Sequence, residues 1–388
     1  MGTGKVAMGS DIQRRKWLND GLLEAASQSF WQPYTGGTSD AIVYQVNDES
    51  CSDGHTVVFD YSGKLTGKAI KGDNMAYGKG EVKRKFSDKI RVAEYTIPVD
   101  NGKKFDGCDI GDLTINEHSD SRAKLGDLFI RWKDQMIFDA AQGGLGQVPT
   151  HIFDLGTSFT YDNLIELETA AKTGKGFVTP DAKGVVSATK ASRRGPLNAF
   201  RTQGGDDYFL CVVDTYMASK LKMDSSYQTI VINADVRGNN NRAIEMVIGK
   251  LGKIYYVEAG DFFGLTDGEG DFGLEDSEID FAGLRKYKKL TTGGDLVWEG
   301  QAKFETAAGD TYSRGLLLGG GALQAAFGKM PDYLFQKSDN FGKTSQSAME
   351  YWCETKKTKL KVESGKDFGA AKVANLDFSV ITVDMKHA

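Results

Sequence analysis

The chain has 388 residues, 40% of them apolar and 11% aromatic, with a net charge of -5. That length exceeds what one simple core usually needs, and the aromatic content excludes a disordered chain. No apolar run approaches the roughly 18–20 residues that cross a bilayer, and the first residues have no apolar signal core. Glycine is abundant at 47 residues and proline scarce at 6, which points to many turns and close backbone contacts.

Residues 11–30 read as an amphipathic helix, with Leu18, Leu22, Ala26 and Phe30 on one stripe. Arg14, Arg15 and Lys16 form a basic start to this arm. Residues 55–61 and 90–99 are strand-like. The polar stretch between them contains Gly63, Gly67, Gly72, Gly78 and Gly80 and has few core-forming residues. It reads as a two-stranded excursion that cannot bury itself, and an isolated hairpin is at best marginally stable. Extended strands of ~15–20 residues reach roughly 50–65 Å, so its natural resting surface is a neighbouring subunit.

Residues 118–142 give the strongest helix. Leu125, Phe129, Trp132 and Met136 recur at helical spacing, Ser119 or Ser121 can cap its start, and Gly143-Gly144 stops it. A second helix is expected over 161–173. An irregular basic connection then leads into alternating α and β segments. A buried-type strand at 208–213 is followed by Asp214 as a cap for a helix carrying Met217 and Leu221. Strands are expected at 229–234 and 253–258, and a helix at 241–252. The run 314–329, RGLLLGGGALQAAFGK, reads as a small-residue helix. Residues 358–363 and 375–385 alternate with period two and end the chain in strands.

Charge is unevenly placed. Residues 61–104 hold 11 Lys and Arg against 5 Asp and Glu, while 257–280 hold nine acidic residues and no Lys or Arg. Lys64, Lys68, Lys71, Lys83, Arg84 and Lys85 are therefore candidates for inter-subunit contact. Asp267, Glu269, Asp271, Glu275 and Asp276 are candidate acidic partners.

Chemistry-bearing motifs are weak. The four cysteines are far apart with no CxxC spacing, and they read as free thiols. The four histidines lack paired spacing and read as surface or interface residues. Phe341-Gly342-Lys343-Thr344 lacks the first glycine of a phosphate loop, and the acids around Asp267–Glu275 miss the offsets of a calcium loop. For an α/β enzyme, only Asp207, Asp214, Glu258 and Asp261 stand near strand ends, and strand-end acids often serve as caps. No catalytic residue, metal or cofactor is expected.

The order of elements resembles the major capsid protein of tailed bacteriophages, the Hong Kong 97 fold. More closely, it resembles the capsid family of N4-like podophages. The resembling stretches are HTVVFDYSGKLTGKAIKGDN (55–74), AKLGDLFIRWKDQMIFDA (123–140), YFLCVVDTYMASKLKMD (208–224), RGLLLGGGALQAAFGK (314–329) and DFGAAKVANLDFSVITVD (367–384). The resemblance implies an α+β fold with an N-arm (1–50) and an extended E-loop (51–105). A P-domain follows, with a long spine helix (106–205), then an A-domain (206–344) and return strands of the P-domain (345–388). Leu125, Phe129, Trp132 and Met136 would pack the spine helix. The implied function is self-assembly, as pentamers and hexamers, into an icosahedral shell around double-stranded phage DNA. The E-loop would lie across an adjacent P-domain. Portal, cement or decoration, and scaffolding proteins are the implied partners, with assembly in the host bacterial cytoplasm and no membrane. Arg14, Arg15 and Lys16 would make weak contact with packaged DNA on the inner face. A tail or other virion structural protein is the alternative, and an α/β enzyme a more distant one.

Overall fold

A computed structural model describes residues 29–62, 69–72, 77, 78, 80, 85–103, 117–144, 148–173, 177, 178, 191, 192, 197–201, 207–229, 247–259, 283–291, 294–299, 301, 303, 304, 306–337, 344–360 and 376–387. In chain order the principal elements begin with β1 (Val43–Asn47), β2 (Thr56–Ser62), β3 (Lys85–Arg91), β4 (Ala93–Lys103) and α1 (Glu117–Gln142). Next come β5 (Ile152–Asp154), α2 (Tyr161–Thr173), β6 (Asp207–Val213), α3 (Thr215–Met223), β7 (Val247–Leu251) and β8 (Ile254–Glu258). The chain continues with β9 (Lys286–Leu290), β10 (Leu296–Trp298), β11 (Gly309–Leu318), β12 (Leu323–Phe327) and β13 (Asp332–Lys337). It finishes with β14 (Thr344–Lys357), β15 (Lys359–Leu360), β16 (Leu376–Asp377) and β17 (Val380–Lys386).

Two sheets carry the architecture. The larger runs β7–β8–β6–β11–β17–β5, with β9 also on β11 and β10 on β9. β6 and β8 are parallel, as a strand–helix–strand crossover requires, whereas β6 pairs antiparallel with β11. Strands β6 and β17 are buried along almost their whole length, because both faces of the sheet are covered. On one face, Phe209, Cys211, Val213, Leu317, Ile381 and Val383 meet Leu164 and Leu167 of α2 and Met217 and Leu221 of α3. On the other, Leu210, Val212, Leu316 and Leu318 meet Ile137, Phe138 and Ala141 of α1 and Leu323 and Ala325 of β12. Each such side chain contributes about 1.5–3 kcal/mol by leaving water.

The smaller sheet runs β1–β12–β14–β13, with β4 on β14. Its covered face receives the N-terminal half of α1: Leu125, Phe129 and Ile130 pack on Met349, Tyr351 and Cys353. α1 is ~39 Å long at 1.5 Å per residue, so one helix spans both sheets. β2 and β3 form a separate antiparallel ribbon, in register from Thr56 opposite Arg91 to Ser62 opposite Lys85.

Several expectations are corrected. The run 314–329 is not a helix: it is the end of β11, a glycine crossing and β12. Leu316, Leu317 and Leu318 are buried on both faces, which erases the alternation that marks a strand. The glycines are where β11 leaves one sheet and β12 enters the other. The N–H groups of Gly319, Gly320 and Gly321 donate to the carbonyls of Ser379, Asn198 and Ala41 at 2.9, 2.7 and 2.6 Å. A Cβ on Gly319 would collide with the Asn198 carbonyl, and Gly321 has φ +68° with Ser39 O 2.9 Å from its Cβ position.

Residues 247–251 form strand β7, not helix. Gly252 (φ +56°) and Lys253 turn it back onto β8, with Leu251 opposite Ile254. Thr229 is helical, and 230–246 lie outside the described residues. The expected strand at 90–99 breaks at Val92 into β3 and β4, and 375–385 breaks at Phe378–Ser379 between β16 and β17, where Ser379 has φ +54°. Of 358–363, Lys359–Leu360 form a strand and 361–363 lie outside the description. Ser29 and Phe30 are not helical, and residues 11–28 of the expected N-terminal helix lie outside the description. Ser119 and Ser121 fall inside α1 and not at its cap. His151, expected at a surface or interface, is 1% exposed beside β5.

Candidate functional site: ribbon, spine helix and joint

The ribbon is built to stand on a root. Along β2, Val57, Phe59 and Tyr61 are buried and Val58 is exposed, the period-two pattern of a strand with one covered face. The covered face meets Cys51, Ile90, Val92, Ala326 and Trp352, so the root sits on the smaller sheet opposite α1. Tyr61 makes the deepest tie. Its hydroxyl lies 3.1 Å from Thr358 Oγ1 and accepts from Gln324 Nε2 at 2.8 Å, and burial pushes its pKa up to about 12. Asp88 of β3 makes the charged tie, accepting from Lys356 Nζ at 2.7 Å and from the Lys359 N–H at 3.2 Å. Beyond the root, the described residues 69–72, 77, 78 and 80 are exposed, with Ile70 38% and Tyr77 89% accessible.

The charged candidates divide as follows. Lys71 is exposed in the ribbon loop, and Lys85 is the first paired residue of β3. Lys64, Lys68, Lys83 and Arg84 lie outside the described residues, as do Asp267, Glu269, Asp271, Glu275 and Asp276, and Arg14, Arg15 and Lys16 of the arm. None of the expected basic–acidic pairs lies wholly within the described residues.

Spine-helix packing was largely readable from spacing. Leu125 and Phe129 are buried, the Phe129 ring stacking on Tyr351 at 3.6 Å, and Trp132 meets Tyr95 edge-on at 4.7 Å. Met136 is half-buried, and its carbonyl accepts from Thr355 Oγ1 at 3.2 Å. The neighbours Ile137, Phe138 and Ala141 make the apolar contact with the larger sheet. Reading the stripe onward by three and four residues from Asp134 would have found them. Asp134 itself fixes where the arm enters: it accepts from Ser29 Oγ at 2.8 Å and from the Phe30 N–H at 2.7 Å. Burial raises its pKa, and these hydrogen bonds pull in the opposite direction.

The C-terminal end of α1 is the joint between the sheets. Gly143 has φ +84° and the Gly144 N–H donates to Asp139 O at 3.0 Å, the bond pattern of a glycine C-cap. Gln142 donates to the carbonyls of Arg285 and Arg314, at 3.0 and 2.8 Å. Arg314 of β11 donates to Gln142 O at 3.1 Å and forks onto Asp384 of β17 at 2.6 and 2.7 Å. The two residues are opposite each other in register. Tyr287 adds a hydroxyl to Asp384 at 2.9 Å and its ring to Arg314 at 4.5 Å. A second buried pair, Lys357 and Asp377 at 2.9 Å, lies where β14 ends. Burial pushes Lys357 down to about 8, against the pull of Asp377.

The strand-end acids behave as caps and surface partners. Asp214 accepts from the Met217 N–H at 2.8 Å at the start of α3, and Glu258 pairs with Lys222 at 2.8 Å. Asp261 lies outside the described residues. Cys51, Cys211 and Cys353 are buried free thiols. No metal-holding cluster and no helix long and apolar enough to cross a membrane occur among the described residues.

Comparison with known proteins assigns the architecture. A family model described as phage capsid protein matches residues 5–165, which include the ribbon and α1. The capsid of Ralstonia phage GP4 is similar over 100% of this chain and 99% of its own, at 16% identity and a TM-score of 0.62. This chain has the fold of phage capsid proteins. Its fold is the Hong Kong 97 type, an α+β fold. The head structure of Helicobacter pylori bacteriophage KHP40 agrees over 100% of this chain and 95% of its own, at 15% identity and a TM-score of 0.63. The Cyanophage Pam1 capsid agrees over 100% of both chains, at 16% identity and a TM-score of 0.54. No curated protein matches this sequence.

Proposed function

We propose that this chain is a phage major capsid protein that assembles as pentamers and hexamers into an icosahedral shell around double-stranded DNA, inside the host cytoplasm, with no enzymatic step of its own. The observation that carries the reading is the ribbon. It is anchored firmly at its root, through Tyr61 and Asp88, yet exposed beyond it. A strand pair tied down at its root, with exposed residues beyond it, suits an arm whose stabilising surface belongs to another copy, and heterologous contacts of that kind build closed shells.

Two surfaces of a neighbour suit the basic ribbon. One is the acidic segment containing Asp267, Glu269, Asp271, Glu275 and Asp276. The other is the uncovered part of the smaller sheet, on the face that also carries the ribbon root. There Leu334, Ala348 and Pro98 stand opposite one another in register, beside a row formed by Asp332, Glu350 and Thr96. An apolar centre with acidic neighbours fits a lysine-rich partner. The division into N-arm, E-loop, P-domain and A-domain, the affinity with N4-like phages, the inner-face role of Arg14, Arg15 and Lys16, and the portal, cement and scaffolding partners belong to this same reading.

The test is joint charge reversal of Lys83, Arg84 and Lys85 to Glu. Expected is a folded subunit, by circular dichroism, with a shell yield at least about tenfold lower at physiological salt. Undiminished yield and stability of shells would overturn the ribbon's part in assembly.

A further inference from the structure

Away from the ribbon, Lys220 and His387 meet Tyr216 at the start of α3, and Lys286 stands opposite Ser313 in register, the residue whose hydroxyl contacts His387. Lys220, one turn further along α3, holds its ammonium 5.3 Å from the centre of the Tyr216 ring. His387, directly after β17, stacks on the same ring at 3.8 Å with an interplanar angle of 16°. Lys286, at the start of β9, acts on the same imidazole: burial first, then the charges of Lys286 and Lys220, hold its pKa below the usual value. All three side chains are partly exposed.

The imidazole is held in place by the larger sheet. Its backbone N–H donates to Thr311 O at 2.9 Å, and Nε2 lies 2.7 Å from Ser313 Oγ. Ser313 donates its single proton to the buried carboxylate of Asp214, so its oxygen accepts from Nε2–H. Nδ1 is then the nitrogen left to titrate. The nearby carboxylates are engaged. Asp214 takes the Met217 N–H and the Ser313 hydroxyl, and Asp310 takes Lys386 at 2.7 Å. No ion pair joins Lys220 or Lys286 to a carboxylate among the described residues. Lys220 and Lys286 repel, as does His387 once Nδ1 is protonated, and a small multivalent anion relieves the repulsion through charge-assisted hydrogen bonds.

We propose that Lys220, Lys286 and His387 form a binding site for a phosphate group, supplied by inorganic phosphate or by a nucleic-acid backbone. Equilibrium dialysis of the purified full-length protein against radiolabelled inorganic phosphate at low salt tests it. Expected is saturable binding of about one phosphate per chain, at least about tenfold weaker in K220Q/K286Q and unchanged in K222Q, whose lysine is paired with Glu258. A short unlabelled DNA duplex displaces the phosphate if the backbone is the natural source and leaves it bound if free phosphate is. Equal binding by wild type and K220Q/K286Q overturns the proposal, as does no saturable binding by wild type. Circular dichroism shows that each variant is folded.

Discussion

Arg314 is 1% exposed and its partner Asp384 2%, and among the described residues their charges are compensated by each other, Tyr287, the end of α1 and the Trp298 ring. A buried pair of this kind adds little net stability over apolar residues, but removing one member strands the other. R314M should therefore lower stability by about 3–5 kcal/mol, and R314M/D384L by clearly less. Chemical denaturation at fixed protein concentration reads both; equal losses would show that the charge pairing is not what Arg314 supplies. His387 gives a pH dependence. Its folded pKa lies below the ordinary 6.5, through burial and then the charges of Lys286 and Lys220. The unfolded chain thus takes up this proton first as pH falls. The stability tied to the neutral ring is complete above pH 6.5 and is lost as pH falls from 6.5 through the lower folded value. H387Q should flatten that part of the stability profile; an unchanged slope between pH 7 and 5 would assign the dependence to other groups.

Elements differed in how plainly the sequence announced them. α1 and α2 carry apolar residues at helical spacing, α2 with one face packed and the other wet, and both were legible from the pattern. So were β6 and the Asp214 cap of α3, because an apolar run ending in a capping residue has few other meanings. β11, β12 and β7 were not. Residues 315–318 of β11 and most of β12 are small or apolar and buried on both faces, which leaves no period to separate strand from helix. The stripe of Ile244, Val247, Ile248 and Leu251 has helical spacing although Val247–Leu251 form a strand. The glycine triplet was misread for the same reason. Local spacing says nothing of Asn198, Ser39 and Asp40, which meet it from distant parts of the chain. Those contacts make the crossing sensitive. Gly319→Ala should cost about 1–3 kcal/mol or more, since the Asn198 carbonyl must move. Gly37→Ala, with nothing within 4 Å of its Cβ position, should cost less than about 1 kcal/mol. Comparable unfolding midpoints for the two variants would contradict this account of the joint.

At the scale of the whole molecule, the candidate contacts between copies were only partly legible. The basic character of the ribbon and its inability to fold alone could be read from residues 61–104. Which surface receives it could not, because a surface is assembled from β4, β13 and β14, far apart in sequence and brought together by pairing. The molecule combines a double-faced core, a helix tying two sheets and an arm with no core of its own. On the proposed reading such a chain is completed by its neighbours. Electron microscopy of the purified protein across a range of concentrations tests this most directly. The account predicts closed, uniformly curved shells or the ring-shaped capsomers that build them, lost when residues 63–84 are replaced by a short turn. A compact monomer at every concentration, or shells that form equally well without the ribbon, would contradict it.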